Sequence, residues 1–134
     1  MDYQSASEEE QIVRVAVRDR SGPVPVDDLI PSTVAMVRDS RDHADVRTGS
    51  SVRGAIDHAL LCAQLADLRR VDPDDGAVTL DAALLALSGR LRLREGCTRS
   101  PEDVVEELWG AHFAPLPPGE SGDRQDSEAD QGKA

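Results

Sequence analysis

Between Ser51 and Arg70 the chain runs without a proline, and Val52, Ile56, Ala59, Leu60, Ala63 and Ala66 recur at steps of three and four residues. That period stacks all six on one side of an α-helix roughly 28 Å long. A helix with one apolar side has to bury it against neighbouring elements. Nowhere do apolar and polar residues alternate long enough for a strand, and the brief pair Val24 and Val26 is interleaved with Pro23 and Pro25, which supply no ladder donor. The chain therefore reads as all-α, a small bundle of about five helices. Its aromatics are Tyr3, Trp109 and Phe113 alone, so Leu, Val and Ala must fill the helix contacts.

The other helices announce themselves at their ends. A first helix is expected from about Ser7 to Arg20, with Ser7 as cap, Glu10 completing a capping box, and Ile12, Val15 and Ala16 as its apolar stripe. After a loop containing Ser21, Gly22, Pro23 and Pro25, Asp27 or Asp28 can cap a second helix reaching about His43, with Ile30, Val34 and Val37 on one side. The acidic turn Asp72 to Gly76 precedes a helix capped by Thr79 and running through Leu84, Leu87 and Leu91. Ser100 and Pro101 open a last short helix whose apolar side is Val104, Val105, Leu108 and Trp109. Residues 115–134, beginning Pro115, Leu116, Pro117, Pro118, Gly119, bury too little to offset their ordering entropy and read as a disordered acidic tail behind a helical domain at 1–114.

Charge narrows the possible partners. The 134 residues include 15 basic and 26 acidic side chains for a net −11, with acidity concentrated at the two ends. Nucleic-acid binding draws on a basic face, and anionic membranes repel an acidic one, so neither partner is expected. The longest apolar run, Ala82 to Leu87, falls far short of the roughly 20 residues needed to cross a bilayer. The first ten residues hold no Lys or Arg and lead into no apolar stretch, so no secretory signal is read and a cytoplasmic location is expected. Cys62 and Cys97 lack the paired spacing of a zinc site and read as free thiols, Cys62 as a small buried hydrophobe.

Few groups point to chemistry. Neither G-x-x-x-x-G-K-[ST] nor G-x-G-x-x-G occurs, so this chain alone is not expected to hydrolyse ATP. Asp72, Pro73, Asp74, Asp75 and Gly76 start like a calcium loop, but the glycine comes one position early and Ala83 stands where a bidentate Glu is required, leaving a solvated turn. His43, His58 and His112 lie far apart and read as surface or half-buried residues, and no metal site is expected. Arg38, Asp39, Arg41 and Asp42 read as a solvated charged face.

One cluster is less ordinary. Gly49, Ser50, Ser51, Val52, Arg53 and Gly54 place two hydroxyls at a helix start and an arginine in its first turn. An Arg at the positive end of a helix costs about 0.3–1 kcal/mol, and Gly54 about 1 kcal/mol more relative to Ala. Orphan amides and a guanidinium converging there make a candidate anion site, above all for phosphate. A second candidate is a basic patch of Arg90, Arg92, Arg94 and Arg99, in which Arg90 and Arg94 share a face if the helix persists; it would serve a stand-alone helical interaction module with an acidic partner.

The stretch Arg41, Asp42, His43, Ala44, Asp45, Val46, Arg47, Thr48, Gly49, Ser50, Ser51, Val52, Arg53, Gly54 resembles the small C-terminal lid of MoxR-type AAA+ ATPases, in which T-R-x-H-P-x-V leads to G-A-S-P-R-[GA]. Tyr3 followed by Ser7, Glu8, Glu9 and Glu10 is similar to the G-Y-P and acidic start of that lid, and Val52 to Arg70 to its next helix. The likeness spans roughly residues 1–92. Gln4, Ala44 and Val52 replace family prolines, and the acidic insertion around Asp72 to Gly76 lengthens a turn. The resemblance implies that Arg53 is the sensor-2 arginine, which contacts nucleotide phosphate when lid and core close around ATP. It also implies a parent that carries ATP and Mg in a core absent here, forms homo-oligomeric rings, acts in a chaperone-like way and works with von Willebrand A domain partners. By that likeness the chain is a fragment of such an ATPase.

Overall fold

The computed structural model describes residues 4–18, 20, 22 and 24–113. The expected disordered tail at 115–134, and Tyr3, Ser21 and Pro23, lie outside the described residues. Among the described residues the chain is mostly helical, with five α-helices and a single two-stranded ladder, as the all-α bundle predicts.

Helix α1 spans Ala6–Arg18. Its cap lies two residues earlier than expected: Glu8 N–H donates to Ser5 Oγ at 3.2 Å and Ser5 N–H to Glu8 Oε1 at 2.9 Å, so Ser5 and Glu8 form the box that Ser7 and Glu10 were assigned. The Ser5 N–H, and after it the Ser5 hydroxyl, hold the Glu8 carboxyl below its ordinary value. The apolar stripe is also turned. Glu9, Val13 and Val17 point inward, Ile12 and Ala16 flank them, and Val15 is 55% exposed. The reason is a carboxylate on the inward side, satisfied by arginines of the next helix.

A single 3-10 turn, Asp27–Leu29, leads into α2, Ile30–Ser40. Neither Asp27 nor Asp28 caps it with a side chain; Pro31 in the first turn gives up an amide that would otherwise need a partner. The helix stops at Ser40 instead of His43, where Arg41 and Asp42 N–H groups turn back to the carbonyls of Arg38 and Asp39 at 3.0 and 3.1 Å. Ile30, Val34 and Val37 are buried together, as expected.

Strand β1, Val46–Thr48, precedes α3, Val52–Arg69, which begins at the Ser51 cap and ends at Arg70 in the left-handed region with φ 62°. Helix α4 covers Gly76–Leu87. Its cap is Asp75, whose Oδ2 accepts from the N–H groups of Ala77 and Val78 at 3.1 and 3.3 Å; Thr79, expected as the cap, is buried one turn inside. Strand β2, Arg92–Leu93, pairs antiparallel with β1 in the register Val46 with Leu93 and Thr48 with Arg92, leaving Arg47 in a bulge. Helix α5, Pro101–His112, starts with the expected Ser100 cap, joined by Asp103 in a full capping box.

Helix α3 is the central element, packed against α1, α2 and α4, while α5 closes over α2 and α4. Facing α4 and its other neighbours it buries Ala55, Ala59, Ala63 and Ala66, and α4 buries Ala82, Ala83 and Ala86. The ion pair Arg69 to Asp81 joins α3 to α4, and Asp57 of α3 pairs with Arg90 just beyond the end of α4.

The core also holds a polar hub. His58, expected at or near the surface, is fully buried: its Nδ1 accepts from Thr33 Oγ1 at 2.9 Å and its Nε2 donates to the Thr79 carbonyl at 3.0 Å. The carbonyl partner fixes the proton on Nε2 and leaves Nδ1 as the acceptor. Trp109 Nε1 donates to Thr79 Oγ1 at 2.9 Å, and that hydroxyl donates to the Gly76 carbonyl at 3.2 Å. Four helices thus meet through one chain of bonds. Burial pushes the His58 pKa down to about 4, against the opposing pull of its bond to Thr79.

Candidate functional site

The segment Gly49 to Gly54 is held by the end of α2. A Cβ on Gly49 would stand 2.7 Å from backbone atoms of Ser40 and Arg41, so only glycine lets the two segments cross this closely. Ser50 is buried; its N–H donates to Ser40 Oγ at 3.0 Å, its carbonyl accepts from Arg41 Nε at 2.8 Å, and its own hydroxyl donates to the Ser51 carbonyl at 2.8 Å. Ser51 then caps α3 by accepting from Arg53 N–H at 3.3 Å, while Gly54 N–H donates to the Ser51 carbonyl at 3.0 Å. Gly54 is a packing glycine: a Cβ there would meet Ser50 Oγ at 2.1 Å and Leu87 Cδ2 at 2.8 Å.

Arg53 is exposed in the first turn of α3, and among the described residues its guanidinium has no hydrogen-bond or ion-pair partner. Asp57, one turn further along the same side, is engaged by Arg90. A fixed backbone, a positive helix end and an unengaged guanidinium therefore coincide at one surface point, which is chemistry suited to an anion. Ser50 and the two glycines contribute by fixing the backbone.

The second cluster is dispersed. The helix ends at Leu87, so Arg90 and Arg94 do not share a helical face. Arg90 is bonded to Asp57 and to the Ala86 carbonyl, and Arg94 Nε donates to the Ala44 carbonyl at 2.8 Å. Arg99 lies 3.1 Å from Asp45 and 2.6 Å from Glu107. Arg92 is exposed on β2. The Arg99 guanidinium, with His43 Nε2 at 3.3 Å, holds the Glu107 carboxyl below its ordinary value. His112 contacts Asp39, so these groups line the seam between α2 and α5. Among the described residues no group of three or more His, Cys, Asp or Glu side chains is placed to hold a metal ion, and no helix is long and apolar enough to cross a membrane.

What sequence reasoning missed is the trio behind the site. Glu9 is 1% exposed; Arg41 Nη1 and Nη2 donate to its two oxygens at 2.8 and 3.0 Å, and Arg38 Nη1 donates to Oε2 at 3.1 Å. Arg38 Nη1 also donates to the Gln4 carbonyl at 2.7 Å. Arg38 and Arg41, read as members of a solvated face, instead pin α1. The available signal was spacing, since Glu9 precedes Val13 and Val17 at steps of four on the inward side. Comparison with known protein families, with curated proteins and with solved structures finds no match to this chain.

Proposed function

We propose that this chain is the α-helical lid of a ring-forming ATPase of the MoxR type, with Arg53 as the sensor-2 arginine that reads nucleotide phosphate. The observation that carries the proposal is the exposed guanidinium in the first turn of a helix whose start is fixed by Ser40, Arg41 and the Ser51 cap. A lid arginine must be rigidly based, outward facing and free to meet an anion supplied by another domain. The mostly helical bundle is also the architecture a lid requires.

In this role ATP and Mg belong to the core of the parent chain, and the lid contributes charge-assisted hydrogen bonds to phosphate oxygen. Bonds made in one nucleotide state and lost in another bias the lid between closed and open positions by about 1–3 kcal/mol, the usual scale of coupling between sites. The parent's chaperone-like work and its von Willebrand A domain partner belong to the same proposal.

The test is to join the chain to a MoxR-type core lacking its own lid and to measure ATP turnover. Turnover restored by the wild-type chain and abolished by Arg53→Ala supports the sensor role. Turnover that is restored equally by the Arg53→Ala chain removes that role, and no restoration at all removes the lid assignment.

A further inference from the structure

We propose that Glu9 and Arg41 form a positioning link that carries displacement of α1 to the start of α3, and so to Arg53. Its functional consequence rests on the lid proposal; its mechanics do not.

Glu9 is an almost fully buried carboxylate, and the Arg41 side chain is 8% exposed. Apolar side chains of similar volume often hold two helices together as well as a buried ion pair does, so cohesion alone gives no reason for charge here. What the pair adds is direction. Two Glu9 oxygens grip one edge of the planar guanidinium, and the Nε–H on another edge then points at the Ser50 carbonyl, 2.8 Å away. That carbonyl lies three residues before Arg53, at the last buried position before the Ser51 cap. The Gly49 backbone is crowded against Ser40 and Arg41, and Ser50 N–H is bonded to Ser40 Oγ, so the segment has little slack to absorb a tilt of Arg41. Arg38, the second arginine on Glu9, also bonds the Gln4 carbonyl ahead of α1. A shift of α1 therefore moves Glu9, turns the Arg41 guanidinium and releases or reorients the first turn of α3.

The test is amide hydrogen exchange of the full chain by NMR at Ser50, Arg53 and Gly54, whose N–H groups all have acceptors. Glu9→Gln is expected to speed exchange at these three positions by about tenfold, on the scale of one charge-assisted hydrogen bond, and to shift the Arg53 Nε–H resonance. Arg41→Lys keeps a charge opposite Glu9 but lacks the fork that reaches Ser50; adding Glu9→Gln to it should change these three amides no further. Should removal of the buried charge unfold the chain, the paired replacement Glu9→Met with Arg41→Met keeps the contact apolar, and it should show protected α1 and α2 amides with fast exchange at Ser50, Arg53 and Gly54.

Exchange that stays slow at the start of α3 in Glu9→Gln or in the paired variant overturns the link, as does a uniform acceleration over all helices. In the core fusion, Glu9→Gln should lower turnover toward that of the Arg53→Ala fusion; turnover that stays at the wild-type level in Glu9→Gln overturns the functional consequence. A fusion without turnover defeats the lid proposal and leaves the exchange result to decide the link by itself.

Discussion

Acidification from pH 7 to pH 4 tests the polar hub directly. In the folded chain His58 is neutral, with its proton on Nε2 toward the Thr79 carbonyl, and its pKa is lowered from 6.5 to about 4 by burial. The unfolded chain takes up a proton near pH 6.5, whereas the folded chain resists until about pH 4. The stabilisation is therefore complete above pH 6.5 and is lost as pH falls through the interval to 4. At 1.36 kcal/mol per unit, the loss reaches about 2 kcal/mol by pH 5 and about 3 kcal/mol by pH 4. Against the roughly 5–15 kcal/mol by which small domains are stable, that is a large share. Urea unfolding at a series of pH values reads it out. Trp109 is the single tryptophan, is buried, and is bonded to the same Thr79, so its fluorescence follows the hub itself. His58→Gln should be less stable at pH 7 yet lose much less between pH 6.5 and 5, because it has no proton to take up there. A histidine resonance for residue 58 titrating near 6.5, or a His58→Gln curve falling as steeply as wild type, would refute the reasoning.

Gly49→Ala should destabilise by about 2 kcal/mol or more in thermal or urea unfolding, because its Cβ would press on backbone atoms of Ser40 and Arg41 that cannot rotate away. Ser100→Ala should cost about 0.5–2 kcal/mol and raise exchange selectively in the first turn of α5, where Asp103 N–H loses its acceptor. Burial raises the Cys62 thiol to about 12, so iodoacetamide at pH 8 should modify Cys97 in the folded chain and reach Cys62 only in urea.

The helices were legible wherever local chemistry sets them. The unbroken period of α3, the Ser51 cap, and Ser100 with Pro101 act within a turn of where they stand. The misreadings involve polar groups whose partners lie far along the chain. Glu9 disguised the inward side of α1, because its acceptable burial depends on arginines 29 and 32 residues away. Thr79 and Ser7 have cap-forming side chains, but Asp75 and Ser5 stand nearer the true helix starts, and Thr79 is used instead by Trp109 and Gly76. His58, expected at the surface or half-buried, lies in the core because Thr33 and Thr79, far from it in sequence, close over it. The β1 and β2 ladder is too short to leave an alternating pattern and joins segments more than 40 residues apart. At the candidate site, the helix start with its hydroxyls and Arg53 in the first turn followed from adjacent residues, while the brace of Ser40, Arg41 and Glu9 behind it required the fold.

The alanines buried by α3 and α4 have a consequence for how this molecule responds to change. Each of these positions has almost nothing to lose when a side chain is shortened, since a single methyl group is already at the end of that road. Growth is another matter: one added branch at the fully buried Ala59 or Ala83 must displace whatever is packed against it. A survey that trims residues to alanine would therefore pass over these positions in silence, and their importance would surface only in a library of enlargements.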